Sequence, residues 1–66
     1  SGLISVTVIG ANAETANGLS TSIMVLGHEK GLELLKNYRD YACLILTDKG
    51  NVKKSKNFNK ILKSLR

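Results

Sequence analysis

The sequence predicts an α/β (α+β) fold, a small two-layer unit with the element order strand, helix, helix, strand, strand. Three observations favour this class. An alternating, β-branched segment opens the chain, two stretches with helical spacing follow it, and an apolar run then ends in a glycine-containing turn. The 66 residues can form one domain at most. A chain this short buries only about 60% of the surface that its unfolded form exposes, so we expect marginal stability.

The first strand is predicted over residues 3–9, where polar side chains alternate with β-branched apolar ones. A helix is predicted over residues 13–26, with Asn12 as its N-cap and Gly27 as the residue that stops it. The end of this helix, residues 23–26, is expected to be core. One buried stripe is predicted from positions that recur at helical spacing, namely Ala16, Leu19, Ser20, Ile23 and Leu26.

A second helix is predicted over residues 29–38, after a very short linker. Its apolar side chains are spaced to meet one surface, and they are Leu32, Leu34, Leu35 and Tyr38. The apolar run 41–47 predicts a strand. It is followed by turn chemistry at residues 48–51, where Gly50 can take a positive φ, and a return strand is predicted from Val52.

The net charge of +5 is unevenly distributed. Residues 1–48 carry three basic and five acidic side chains, whereas residues 49–66 carry seven basic side chains and no acidic one. The basicity therefore belongs to the C-terminal end of the chain. Residues 59–66 place apolar side chains among lysines, a pattern that predicts a short basic amphipathic helix.

Several classes of protein are not expected from the composition. The single cysteine, Cys43, lies in an apolar run, so we expect it to be buried and to form no disulfide within the chain. There is no cysteine and histidine pattern of the zinc-site type. No apolar stretch approaches the roughly 20 residues that span a bilayer, and no signal-peptide pattern opens the chain.

The first half of the first helix contains no large apolar side chain, and it includes Gly18, which costs about 1 kcal/mol relative to alanine inside a helix. Asn17 and Thr21 are four residues apart and therefore lie on one helical face. Their two oxygens can contribute to a magnesium site that phosphate oxygens and water complete. The alternative is an ordinary polar face, with Thr21 bonded to its own turn and Gly18 serving helix packing.

Four segments together resemble a known family. They are Ser5-Val6-Thr7-Val8-Ile9, then Leu19-Ser20-Thr21-Ser22-Ile23-Met24-Val25-Leu26-Gly27, then Glu29-Lys30-Gly31-Leu32, and Asp48-Lys49-Gly50-Asn51-Val52 with Ser55 and Phe58. Their order and spacing are similar to the C-terminal part of the ApbE-type FAD:protein FMN transferases, long described as thiamine biosynthesis lipoproteins. The resemblance covers residues 2–58. It implies that residues 1–58 are the C-terminal segment of a larger ApbE-like domain, followed by the basic tail 59–66.

The resemblance also implies an activity. Enzymes of that family use magnesium to split FAD and attach FMN, through a phosphoester, to a threonine of a target protein. In the family's D-x-x-x-T pattern the aspartate and the threonine bind the metal, and those positions are Asn17 and Thr21 here. Because an amide lacks the charge of a carboxylate, we expect magnesium binding to be weakened or absent. FAD is the implied substrate, and the implied partners are a flavin-acceptor protein and the remainder of the fold.

No catalytic residue is assigned in this chain, because the flavin-contacting segments and the histidine motif of the family lie upstream. The isolated chain is therefore expected to be inactive. His28 falls where the family often has the proline of G-P-E-K-G, so it is expected to occupy the start of a helix rather than to act in catalysis. The resemblance implies a bacterial protein, either a membrane-anchored lipoprotein outside the cytoplasm or a cytoplasmic protein.

Two other functions are compatible with the sequence. Asn17 is consistent with a catalytically silent relative that binds flavin or a partner. The basic end is consistent with a nucleic-acid-binding module that contacts phosphates and stacks Phe58 on a base. The cations of that hypothesis are Lys53, Lys54, Lys56, Lys60, Lys63 and Arg66. Because aromatic residues are few and no known module has this strand order, nucleic acid is not the expected partner.

Overall fold

The computed structural model describes residues 2–66 and has mixed α/β architecture, as predicted. The elements in chain order are β1 (Leu3–Ile9), α1 (Ala13–Leu26), α2 (His28–Leu35), β2 (Ala42–Thr47), β3 (Val52–Lys54) and α3 (Phe58–Ser64). The strands form one antiparallel sheet in the order β1-β2-β3. The predicted bounds of β1 and α1 are confirmed, and the final basic segment forms a helix that starts one residue earlier than predicted.

The second helix is shorter than the predicted span 29–38, because its hydrogen bonding changes after Leu35. The amides of Lys36 and Tyr38 donate to carbonyls three residues earlier, Glu33 O at 3.2 Å and Leu35 O at 2.9 Å. These short-range bonds tighten the last turn and end the α-helix. Tyr38 consequently lies beyond the helix and is 39% exposed, so its predicted place on the buried surface is wrong.

One face of the sheet carries the core. Because strands pair in antiparallel register, Val6 of β1 lies opposite Ile45 of β2, and Val8 lies opposite Cys43. Helix α1 covers this face with two buried side chains, Leu19 and Ile23, and Leu35 of α2 completes the cluster. The register shifts between Leu3 and Ser5, which leaves Ile4 as an extra residue on β1, 59% exposed.

The end of α1 is less buried than its sequence predicts. Val25 is 77% exposed and Leu26 is 43% exposed, so the expectation that residues 23–26 are core holds only at Ile23, which is fully buried, and partly at Met24. The physical reason is that a two-layer fold covers one face of α1. Val25 lies on the other face, and Leu26 is the last residue before the chain turns at Gly27 into α2.

The β2–β3 hairpin forms as predicted, with Gly50 at φ 84°. Its turn is further held by the Thr47 hydroxyl, which accepts from the amide of Asn51 at 3.1 Å. Helix α3 follows and packs on β2, burying Ile61. No helix within residues 2–66 is long and apolar enough to cross a membrane.

Candidate functional site

The start of α1 is held in place by an aromatic ring. A side chain at Gly10 would overlap the ring of Tyr41, so only glycine lets the chain pass this close. The backbone amide of Asn12 donates to the Tyr41 hydroxyl at 3.2 Å. The side-chain oxygen of Asn12 accepts from the backbone amide of Thr15 at 2.9 Å. This N-cap was predicted, and the Tyr41 contact adds a tertiary anchor that fixes where the first turns of α1 lie.

The two predicted metal-site residues, Asn17 and Thr21, lie on one exposed side of α1. The Thr21 hydroxyl donates to the Asn17 carbonyl at 3.0 Å, and the Ser20 hydroxyl donates to the same carbonyl at 2.9 Å. The local bonding of Thr21 to its own turn is therefore present. Donating that proton leaves the lone pairs of the Thr21 oxygen available, so the bond does not prevent this hydroxyl from also binding a cation.

The oxygen atoms of these two residues meet only part of what a magnesium ion requires. Asn17 and Thr21 offer two neutral oxygens, whereas magnesium takes six ligands and is usually bound through one or two carboxylates. Within residues 2–66 there is no group of three or more histidine, cysteine, aspartate or glutamate side chains that could hold a metal. A cation beside α1 would thus need further ligands from a nucleotide phosphate, from water or from protein outside these residues.

Gly18, between these two positions, faces open space. An added Cβ would meet no atom within 4 Å, so Gly18 does not serve helix packing within the described residues. Beside Thr21 is a shallow hollow of about 270 Å³, lined by Val6, Ser20, Thr21, Met24 and Val25. Val6 belongs to β1, so the hollow lies where α1 borders this edge strand of the sheet.

His28 and Cys43, whose side chains could in principle act in catalysis, both occupy positions with a structural role. His28 is the first residue of α2 and follows Gly27, whose φ is 87°, which is the place at a helix start that the sequence predicts. Cys43 is fully buried, as predicted. Burial raises the pKa of the Cys43 thiol, and hydrogen bonds with Ser55 oppose that effect only in part. A buried thiol with a raised pKa is a poor nucleophile.

Basic residues that are far apart in the sequence lie close together in the structure. A groove between α2 and the β3–α3 segment brings Lys36 and Arg39 beside Lys54, Lys56 and Lys60 of the C-terminal end. Charge along the sequence does not indicate that Lys36 and Arg39 join the C-terminal lysines, because both lie within residues 1–48, whose net charge is negative. Only the tertiary fold, in which α2 packs on α1 and α3 packs on β2, brings them together.

Comparison with known proteins gives a consistent result. The model of the ApbE family matches residues 1–45, which include all of β1, α1 and α2. The FAD:protein FMN transferase of Haemophilus influenzae is 46% identical over 54 residues, covering 80% of this chain and 16% of that relative. The chain thus spans about a sixth of that relative's length. No solved structure matches significantly. Because the family model matches more than half of the residues, the chain belongs to the ApbE family.

Proposed function

We propose that this chain forms part of a magnesium-dependent flavin transferase, which uses FAD to attach FMN covalently to a threonine of a target protein. The observation that carries the proposal is the family match over residues 1–45, together with a relative named FAD:protein FMN transferase. Within the proposed enzyme, residues 1–58 are the C-terminal segment of the ApbE-like domain and residues 59–66 are a basic tail.

The proposed contribution of the chain to the site is the exposed face of α1. Asn17 and Thr21 would supply two of the ligands of a magnesium ion that also contacts the phosphates of FAD. The metal would stabilise negative charge on the phosphate oxygens as the diphosphate of FAD is broken. Because Asn17 is neutral, the ion is held less tightly than by a carboxylate at the same position.

The proposed remainder of the fold would cover surfaces that are exposed in this chain. β1 has an unpaired edge, and strand edges are ordinarily protected in natural proteins. Exposed apolar side chains on β1 and at the end of α1 form further surface for the remainder of the fold to cover, namely Ile4, Val25 and Leu26. The chain matches only 16% of the length of its relative, and we propose that the 66 residues have no transferase activity without the rest of the fold.

The test is to replace the matched 54-residue segment of the Haemophilus influenzae relative with the corresponding part of this chain and to follow FMN transfer from FAD to an acceptor protein. We expect magnesium-dependent transfer. In the same chimera, Asn17→Asp should lower the magnesium concentration for half-maximal transfer by about tenfold, since a charged ligand gained at a metal contributes on the order of 1.4 kcal/mol or more.

The control is Asn51→Asp, which adds the same charge elsewhere. The backbone amide of Asp48 donates to Gly2 O at 2.7 Å, which places the hairpin containing Asn51 beside the start of β1. Helix α1 begins after the opposite end of β1, so Asn51 and the first turns of α1 lie at different ends of this strand. This control should leave the magnesium dependence unchanged. Equal magnesium requirements with asparagine and aspartate at position 17 would remove the metal-ligand role. A folded chimera with no transfer in either form would favour a catalytically silent relative that binds flavin or a partner.

A further inference from the structure

A second concave surface lies between α2 and the β3–α3 segment, and it has no part in the proposed metal site. We call it the basic groove. Its volume is about 680 Å³, within the range of roughly 300–1,000 Å³ that is typical of small-molecule sites. It shares no lining residue with the hollow beside Thr21. The lining residues are Leu32, Leu35, Lys36, Arg39, Lys54, Ser55, Lys56, Asn57 and Lys60.

Every charged side chain that lines the basic groove is positive. Lys36 pairs with Glu33 at 3.0 Å on the exposed side of α2, and the Lys54 ammonium lies over the Phe58 ring at 5.7 Å from its centre. Arg39, Lys56 and Lys60 have no ion-pair partner among residues 2–66. Like charges gathered around one concavity repel one another, so an anion bound there would stabilise the folded chain.

The neutral polar groups of the groove are already engaged. The Ser55 hydroxyl donates to Asn57 Oδ1 at 2.8 Å and accepts from the Cys43 amide at 3.0 Å. Asn57 Nδ2 donates to the carbonyls of Arg39 at 3.2 Å and Tyr41 at 3.0 Å. The side-chain donors left for a ligand are therefore cationic ones, which favour anionic groups over neutral hydrogen-bonding groups.

The shape of the groove distinguishes between anionic ligands. A nucleic-acid strand needs an extended basic path with aromatic side chains on which several bases stack. Here the cations surround one concavity, and the nearby aromatic ring of Phe58 is covered by Lys54. A compact ligand with several negative charges matches the number of unpaired cations that surround the groove.

We propose that the basic groove is a binding site for a small, multiply charged phosphate ligand of the diphosphate class. Arg39, Lys56 and Lys60 would contact the phosphate oxygens, with the fork of Arg39 able to bind two oxygens of one phosphate. The ligand can be a free phosphate compound or a phospholipid headgroup, and these two sources share this chemistry.

The experiment titrates the 66-residue chain with inorganic pyrophosphate and follows backbone amide signals by NMR. Two variants carry the same charge change. In the groove variant Lys54, Lys56 and Lys60 are changed to glutamine, and in the control variant Lys49, Lys63 and Arg66 are changed to glutamine. None of the control positions lines the groove. Both variants lose three positive charges and keep long side chains, so they differ only in where the charge is removed. A native spectrum of each variant is required before its affinity is compared.

We expect pyrophosphate to shift the amide signals of residues that line the groove. Its affinity should be about tenfold weaker in the groove variant, because two proposed phosphate contacts, Lys56 and Lys60, and the nearby charge of Lys54 are together worth on the order of a factor of ten. In the control variant the affinity should change less than about threefold. Vesicles of phosphatidylcholine with phosphatidic acid separate the two sources. Competition between vesicles and pyrophosphate identifies a headgroup, and its absence identifies a free phosphate compound.

Equal weakening in both variants would overturn the proposal, because binding would then follow overall charge rather than the groove. Tighter binding of a single-stranded oligothymidine than of pyrophosphate, with equal losses in both variants, would also overturn it and indicate a nucleic-acid surface. This test does not depend on FMN transfer, so its failure would leave the proposed transferase role intact.

Discussion

Cys43 shows how one residue couples burial to the stability of the fold. The thiol is fully buried among apolar side chains, and burial raises its pKa because the thiolate is poorly solvated there. As pH rises, the unfolded chain therefore loses its thiol proton before the folded chain does. The stability that this difference contributes is fully present below the ordinary pKa of the thiol, about 8.5, and falls as pH passes through the folded value.

At the residue scale we thus predict that the free energy of unfolding decreases as pH rises above about 8.5, and that Cys43→Ala makes this decrease shallower. Urea unfolding at several pH values measures both slopes. The comparison concerns the slopes only, because the alanine variant also leaves a small cavity that lowers stability at every pH. The same alkaline slope in both proteins would show that the buried thiol does not control it.

At the scale of the elements, two glycines inside helices have opposite surroundings. Gly18 of α1 faces open space, whereas a Cβ at Gly31 of α2 would approach the side chain of Ile23 on α1, with Cγ2 at 2.5 Å and Cβ at 3.1 Å. Gly31 therefore permits the close contact of the two helices, and Gly18 has no such role within residues 2–66. Helix propensity alone does not distinguish these positions.

Gly18→Ala should raise the free energy of unfolding by roughly 0.5–1 kcal/mol, because alanine favours the helix and meets no obstacle. Gly31→Ala should lower it by about 1–3 kcal/mol, since overpacking against fully buried Ile23 exceeds the gain in propensity. Chemical unfolding of both variants gives the two values. A stabilised Gly31→Ala protein would mean that α1 and α2 separate without cost.

At the scale of the whole molecule, Asn57 links distant parts of the chain. Its amide group donates to the carbonyls of Arg39 and Tyr41, which follow α2, and its oxygen accepts from Ser55, which follows β3. These bonds tie the start of α3 to the segment that leads from α2 into β2. Since so small a domain has only marginal stability, a link of this kind affects the entire fold.

Asn57→Ala should destabilise the chain by about 2 kcal/mol, because it removes several hydrogen bonds that are each worth about 0.5–1.5 kcal/mol and leaves the partly buried Tyr41 carbonyl without this donor. Asn59→Ala, at an exposed position in the same part of the chain, is the control and should change stability by less than about 0.5 kcal/mol. Thermal unfolding measures both. Equal melting temperatures for the two variants would show that the Asn57 link is not required.

Local signals predicted the elements well. The Asn12 cap, the stop at Gly27 and the turn at Gly50 act over a few residues, so their effect can be read directly from the sequence. Burial was predicted less well. The apolar end of α1 has the composition of a core segment, yet Val25 is mostly exposed, because burial depends on what covers a face and not on the side chain alone.

By itself, the sequence determined the element order, the family resemblance and the neighbouring positions of Asn17 and Thr21, because each rests on spacing along the chain. The tertiary structure alone determined that Tyr41 anchors the start of α1 and that Lys36 and Arg39 join the C-terminal lysines in the basic groove. The reason is physical. Helical periodicity fixes neighbours three or four residues apart, whereas contacts between distant residues arise only when the elements pack to bury a shared core.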